Sequence, residues 1–287
     1  MYLFEDKNGK KQVVDGRQRI SAILDFLEGK FKLNNLRILK QFNGCCFADL
    51  DLKQQGVIED FQLLFYIIQP PTPERVKYDI FDRVNRGGTP LNKQEMRNAL
   101  YRGRCTRMLD KLCCSPEFLI ATGRSINKER MKDQYVVLRA MAFLMLHRGE
   151  FKDIPALQYR GDIDDFLARF MVYVNDNAPE KLIVDYENLF IRCMQISYDL
   201  LGENGFRFSG NGIRRPINMP LFEALSYLFS FVPEKIDYTW ASRLILDIES
   251  VKEEFDDSRY FSGNIDSTTS VSFRFDRMDK IRNRIQL

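Results

Sequence analysis

VVDGRQRISAIL, residues 13–24, is the stretch on which the reading of this chain turns. Gln12-Val13-Val14 is a short strand-forming run, and Asp15-Gly16 is a turn pair. A helix follows at once: Ile20, Ile23, Leu24 and Leu27 stand at i, i+3, i+4 and i+7, one apolar face. Asp15 is a natural N-cap and Gly29 a natural stop. The first turn of such a helix has unbonded N–H groups and the positive end of the helix dipole, which together attract anions. Arg17 and Arg19 add planar cationic forks suited to phosphate. Gln18 both donates and accepts, and Asp15 can cap the helix, hold a metal ion or orient a water. A plain capped helix with surface arginines would carry the same residues without any ligand.

Working outward, residues 31–70 read as mixed strands and loops. FQLLFYIIQPP, residues 61–71, is short, apolar and closed by two prolines, which predicts a buried strand. From Thr72 the pattern turns helical, with Val76, Ile80, Phe81 and Val84 on one face and an end at Asn85-Arg86-Gly87-Gly88. A second helix opens at Asn92, with Glu95 at its third position and Leu91 and Met96 placed as a hydrophobic staple. Beyond about residue 105 the segments 129–147, 162–175, 179–201, 218–231 and 238–255 carry helical periodicity, with breaks expected at 202–212 and in the Ser/Thr stretch 267–272. The fold class is therefore α+β: a small α/β part over 1–105 and a mostly helical part over 106–287.

Composition excludes several kinds of chemistry. The chain has 287 residues, a net charge of +3 and 45% hydrophobic residues, an ordinary globular balance. No apolar run approaches the ~20 residues that span a bilayer. The opening MYLFEDKNGKKQ has no signal-peptide core, so the chain reads as cytoplasmic with no membrane partner. His147 is the single histidine, which argues against His-pair zinc sites and HNH nuclease centres; it reads as the last residue of an apolar helix, favourable to the dipole there. The six cysteines lack metal-ligand spacing and read as reduced thiols. Asp162, Asp164 and Asp165 read as a helix cap and first turn, and no metal-ligand set is expected. No G-x-x-x-x-G-K-[ST] and no strand-linked G-x-G-x-x-G occurs. Charge is uneven: residues 83–107 hold seven basic residues and one acid, whereas 153–199 hold nine acids and four bases. The basic run suits an anion or the phosphates of DNA, with Arg86, Arg97, Arg102 and Arg104 as the contacting residues.

Asp15-Gly16-Arg17-Gln18-Arg19 resembles the D-G-Q-Q-R signature of the ParB/sulfiredoxin-like superfamily, and more narrowly that of the N-terminal domain of GmrSD-type modification-dependent restriction enzymes. IFDRVNRGGTPLNKQEMRNALYRG, residues 80–103, is similar to the same family's F-x-R-[LIV]-N-x-G-G-x-x-L-x-x-x-E-[LIM]-R-N-A segment. The resemblance implies a nucleotide-binding, NTP-hydrolysing module of prokaryotic defence against foreign DNA, taking an NTP with or without Mg2+. Asp15 and Gln18 would then be catalytic. Gly16, Arg17, Arg19, Arg83, Asn85, Gly87 and Gly88 would hold the nucleotide. Arg17 replaces the usual Gln. The family's preceding stretch with a Tyr-Gln-Arg motif, and its HNH nuclease domain, have no counterpart in these residues. The resemblance therefore implies a half-built site, slow or absent turnover, and no nuclease activity from this chain alone. Two rival readings are a non-enzymatic DNA-binding or sensing subunit, and a scaffold whose partner supplies the nuclease.

Overall fold

The β-branched run before Asp15 does form a strand that feeds directly into a helix. A computed structural model of the chain describes residues 1–5, 9–69, 72, 76, 77, 80, 83, 91–210, 214–233, 238–258, 260, 261 and 263–284, with backbone only at 12, 14 and 15. Contacts divide the chain into two units, Met1–Leu91 and Asn92–Leu287.

The first unit carries a three-stranded mixed sheet of β1 (Tyr2–Glu5), β2 (Lys11–Asp15) and β3 (Tyr66–Ile68), in the order β2-β1-β3. β1 runs antiparallel to β2, pairing Phe4 with Gln12, and parallel to β3, pairing Tyr2 with Tyr66. The apolar run expected as a buried strand is a correction. Only residues 66–68 are extended, and as an edge strand bonded to β1 alone they leave Tyr66 55% and Ile67 42% exposed. Helix α1 (Arg17–Leu27) ends as expected at Gly29, where φ is 72°. There Lys30 N donates to Asp25 O and Gly29 N to Phe26 O, a Schellman closure. Its buried residue is Phe26, packed on Phe31 and Phe47, rather than Leu24, which is 51% exposed. Helix α2 (Leu52–Glu59) lies where only strands and loops were expected. Its signal was the Asp51-x-x-Gln54 capping box: Gln54 N donates to Asp51 Oδ1 at 2.8 Å, and Asp51 N to Gln54 Oε1 at 3.2 Å. Of the helix expected from Thr72, residues 76, 77, 80 and 83 are helical; Phe81 and Val84 lie outside the described residues.

The second unit is helical: α3 (Lys93–Leu100), α4 (Arg104–Cys113), α5 (Pro116–Ala121), α6 (Lys132–His147), α7 (Ile163–Asp176), α8 (Glu180–Leu201), α9 (Met219–Phe229), α10 (Tyr238–Asp256) and α11 (Thr268–Arg284). The helix expected from residue 129 starts at 132, because Arg130 and Met131 both take positive φ. The Ser/Thr stretch expected as a break instead starts a helix: Ser270 N donates to Ser267 Oγ at 3.1 Å, and α11 continues to Arg284. The core is built on α6 and α9. Residues 136–145 of α6 and 220–229 of α9 are buried on every side, as expected of helices surrounded by others. Among the described residues no helix is long and apolar enough to cross a membrane.

A charged cluster sits inside this apolar core. Arg139 of α6 donates through Nε to Glu223 of α9 and through Nη2 to Asp266 at 2.6 Å. Arg274 of α11 donates to the other Glu223 oxygen at 2.9 Å. Glu223 thus binds two buried guanidinium groups from two helices.

His147 ends α6, as expected, but not as a cation favourable to the dipole. Its ring stacks on Phe275 at 3.5 Å, and burial, aided by the Arg274 charge, lowers its pKa to about 3. The unfolded chain takes up this proton below about pH 6.5 while the folded chain does not. Stability should therefore fall by about 1.4 kcal/mol per pH unit below that point, roughly 2 kcal/mol by pH 5, from this group. Urea unfolding at pH 7 and pH 5 checks this. His147→Phe should remove the extra slope, and an unchanged slope in the variant would assign it to other groups.

Candidate anion-binding site

The strand-to-helix junction is made by one residue, Gly16. Its φ of 99° lies in the left-handed region, and a Cβ there would fall 2.8 Å from Met1 Cγ. Both backbone and space therefore call for glycine. The N-cap of α1 is this glycine and not Asp15, which is the last residue of β2. The first helical bond runs from Ile20 N to Gly16 O at 2.8 Å. No acidic residue stands in the first turn to offset the dipole there, and Arg17, Gln18 and Arg19 are all exposed. Asp15, Gly16, Arg17, Gln18 and Arg19 thus follow one another across the junction; the Asp15 side chain lies outside the described residues. What the junction offers is a helix N-terminus beside two exposed arginines, an arrangement suited to phosphate oxygens.

The second motif is placed differently. Arg83 is helical and exposed, whereas Asn85, Arg86, Gly87 and Gly88 lie outside the described residues. The capping box at α3 forms as expected. Asn92 Oδ1 accepts from Gln94 N and Glu95 N, and Asn92 N donates to Glu95 Oε2 at 2.6 Å. Its polar residues then hold α3 against the turn before α6. Asn92 Nδ2 donates to Arg130 O at 2.7 Å, Arg130 Nη2 reaches Glu95 at 3.0 Å, and Asn98 donates to Gln134. Burial alone would raise the Glu95 pKa, but Arg130 and the Asn92 N–H hold it below the ordinary value. A cavity of about 530 Å3 opens beside this helix start, lined by Lys93, Arg97, Asn127, Arg130, Lys132 and Tyr135 among others. Asn92→Ala removes two cap bonds and should cost about 1 kcal/mol, read by urea unfolding. A loss within error of zero would show that the Glu95–Arg130 pair alone holds the turn.

Three of the seven residues of the basic run, Lys93, Arg97 and Arg104, pair with acids of the acidic one. Arg97 is buried, donates from Nη1 to Asp164 Oδ1 at 2.8 Å and from Nε to Gln94 Oε1 at 2.9 Å, and shares Asp164 with Lys93. Burial would raise the Asp164 pKa; Lys93 and Arg97 hold it low instead. Arg104 donates to Ala178 O at 2.9 Å and pairs with Glu180 at 2.7 Å, and Lys111 pairs with Glu187. The expectation that Arg97 faces DNA is thereby corrected: its charge is neutralised inside the helical unit. Arg104 is half-buried in the same service, and Arg102 remains exposed between α3 and α4. Asp162 caps α7, accepting from Asp164 N and Asp165 N. Cys105, Cys113 and Cys193 are buried free thiols, and burial pushes all three pKa values up, away from the reactive thiolate. Among the described residues no group of three or more His, Cys, Asp or Glu is placed to hold a metal ion.

The stretch that holds both motifs is also the stretch that resembles a known family. Residues 1–102 match the family model of the GmrSD restriction endonuclease, N-terminal domain. The match takes in the sheet, the Gly16 junction and α3, 102 of the 287 residues. Over those residues the chain is similar to that domain. No curated protein and no solved structure matches the chain.

Proposed function

We propose that the GmrSD-type region binds an NTP as the nucleotide-handling module of a prokaryotic DNA-modification-dependent restriction or anti-phage system. The observation that carries this reading is the Gly16 junction: a helix start with no acid in its first turn, flanked by exposed Arg17 and Arg19. Phosphates would lie on the α1 N-terminus, with the two arginines on their oxygens. Asp15, at the end of β2, would orient the attacking water or a Mg2+ ion, and Gln18 would position that water. Arg83 and the Asn85-Arg86-Gly87-Gly88 turn would approach the same nucleotide, and the strand–turn–helix start would be of the ParB/sulfiredoxin-like kind. Cleavage of DNA would fall to a nuclease partner. A DNA-tracking role for the basic run is less well supported, since Arg97 and Arg104 are already paired within the helical unit.

Calorimetric titration with ATP, GTP, CTP and UTP, with and without Mg2+, tests the binding reading, and steady-state phosphate release tests turnover. Saturable binding of at least one NTP is the expected result. Absence of binding by all four in both conditions would overturn it.

A further inference from the structure

Among the described residues four arginines are almost fully buried: Arg97, Arg139, Arg207 and Arg274. Three of them hold carboxylates: Asp164, Glu223 with Asp266, and Glu223 again. Arg207, 4% exposed, has none within ion-pair distance among the described residues. Its guanidinium donates to the carbonyls of Glu203 (3.2 Å), Thr122 (3.1 Å) and Arg215, and to the Ser125 hydroxyl. Carbonyls at the end of a short helix such as α5 offset only a fraction of a charge. A buried cation without a counter-charge is costly. Burial, and then the neighbouring Arg214 charge, depress the Arg207 pKa below its ordinary value, against a smaller opposing pull from Glu203.

Arg207 lies in the wall of a cavity of about 640 Å3 formed by residues between 203 and 210, by Arg214 and Arg215, and by the α10 face carrying Glu249 and Lys252. Arg214, Arg215 and Lys252 also line it, against two acids, Glu203 and Glu249. Arg214 pairs with Glu203 at 2.7 Å and Lys252 with Glu249 at 2.8 Å. Of the four cationic groups in this wall, Arg214, Lys252 and Arg215 each have a carboxylate partner, that of Arg215 being Asp256, and Arg207 has none at ion-pair distance among the described residues. The Arg214 guanidinium lies directly on Gly123, where a Cβ would come within 1.9 Å of Nη2 and φ is +58°. The floor under this arginine thus has room for no side chain.

We propose that this cavity in the helical unit binds a phosphate-bearing small molecule, whose charge completes the one that Arg207 lacks. Arg207, whose donors are held by carbonyls and Ser125, would act through its charge, whereas the Arg214 and Arg215 forks suit phosphate oxygens, and the volume is that of ordinary small-ligand sites. The site belongs to residues 92–287 and is independent of the Gly16 junction proposed above.

The test is calorimetry on the full chain with two probes, tripolyphosphate and ATP. Three double variants are compared with the parent: Arg214→Ala/Arg215→Ala at the cavity, Arg17→Ala/Arg19→Ala at the junction, and Arg102→Ala/Arg107→Ala as a charge control. The expected result is tripolyphosphate binding that survives the junction and control variants but weakens by about tenfold or more in the cavity variant. ATP binding at this site more tightly than tripolyphosphate would identify a nucleotide; equal affinity would identify the phosphate chain alone. Parent-like tripolyphosphate binding by the cavity variant would overturn the proposal, as would no tripolyphosphate binding by the parent. Loss only in the junction variant would overturn it too, while leaving the junction reading intact. Arg207→Met, with its fold checked by circular dichroism, adds a second route: a folded variant that still binds as the parent does would also sink the assignment.

Discussion

Glu223→Ala should cost the helical unit about 3–5 kcal/mol, the range for removing one partner of a buried ion pair. The carboxylate binds Arg139 of α6 and Arg274 of α11, and all three side chains are buried. Its removal leaves two guanidinium groups facing one another in an apolar core, with Asp266 still bound to Arg139 alone. For a unit of this size the melting temperature should drop on the order of 10 °C. Glu223→Gln keeps the shape and two acceptor lone pairs but not the charge, and should fall between alanine and the parent. Differential scanning calorimetry of the three proteins reads both effects. An alanine variant within about 1 kcal/mol of the parent would mean that the arginines turn outward to water at little cost.

The second large effect concerns ligand rather than fold. Arg17→Ala/Arg19→Ala should weaken NTP binding by about a hundredfold, since a hydrogen bond to a charged group contributes ~1.5–3 kcal/mol and two are removed. Both side chains are exposed, so the melting transition should stay close to that of the parent. Titration of the parent and variant with the best-bound NTP provides the measurement. Equal affinities would place the nucleotide away from α1.

Much of this was legible from short-range chemistry. The Gly29 stop, the Asn92–Glu95 box, the Asp162 cap and the helices 163–176, 180–201 and 219–229 are set by residues within a few positions of one another. What escaped the sequence was fixed over long separations. FQLLFYIIQPP has the composition of a core strand, but nothing local says that β1 will be its only neighbour. Arg97 sits in a basic run, yet its partner Asp164 is 67 residues away. Part of the run's charge looks free in one dimension and is matched in three. Ser267 failed for the opposite reason: serine opens helices as readily as it interrupts them, and only the bond to Ser270 N decides. At the junction, the glycine was legible because its position needs backbone freedom. The buried cation Arg207 gave no such signal, since an arginine between two phenylalanines reads the same whether it is matched or not.

Helix α3 sets a condition on where the chain can be divided. The family's match ends at residue 102, just past α3, yet Met96, Arg97 and Leu100 are buried within the unit that begins at Asn92. A fragment ending at 102 would carry away a helix whose Arg97 has lost Asp164 and whose Asn98 has lost Gln134. It would leave behind α6 and α7 with the matching acid and amide exposed. Inherited length and folding unit are thus out of step by one helix. An excised fragment of residues 1–102 that precipitates would report on the position of the scissors rather than on what its first thirty residues bind.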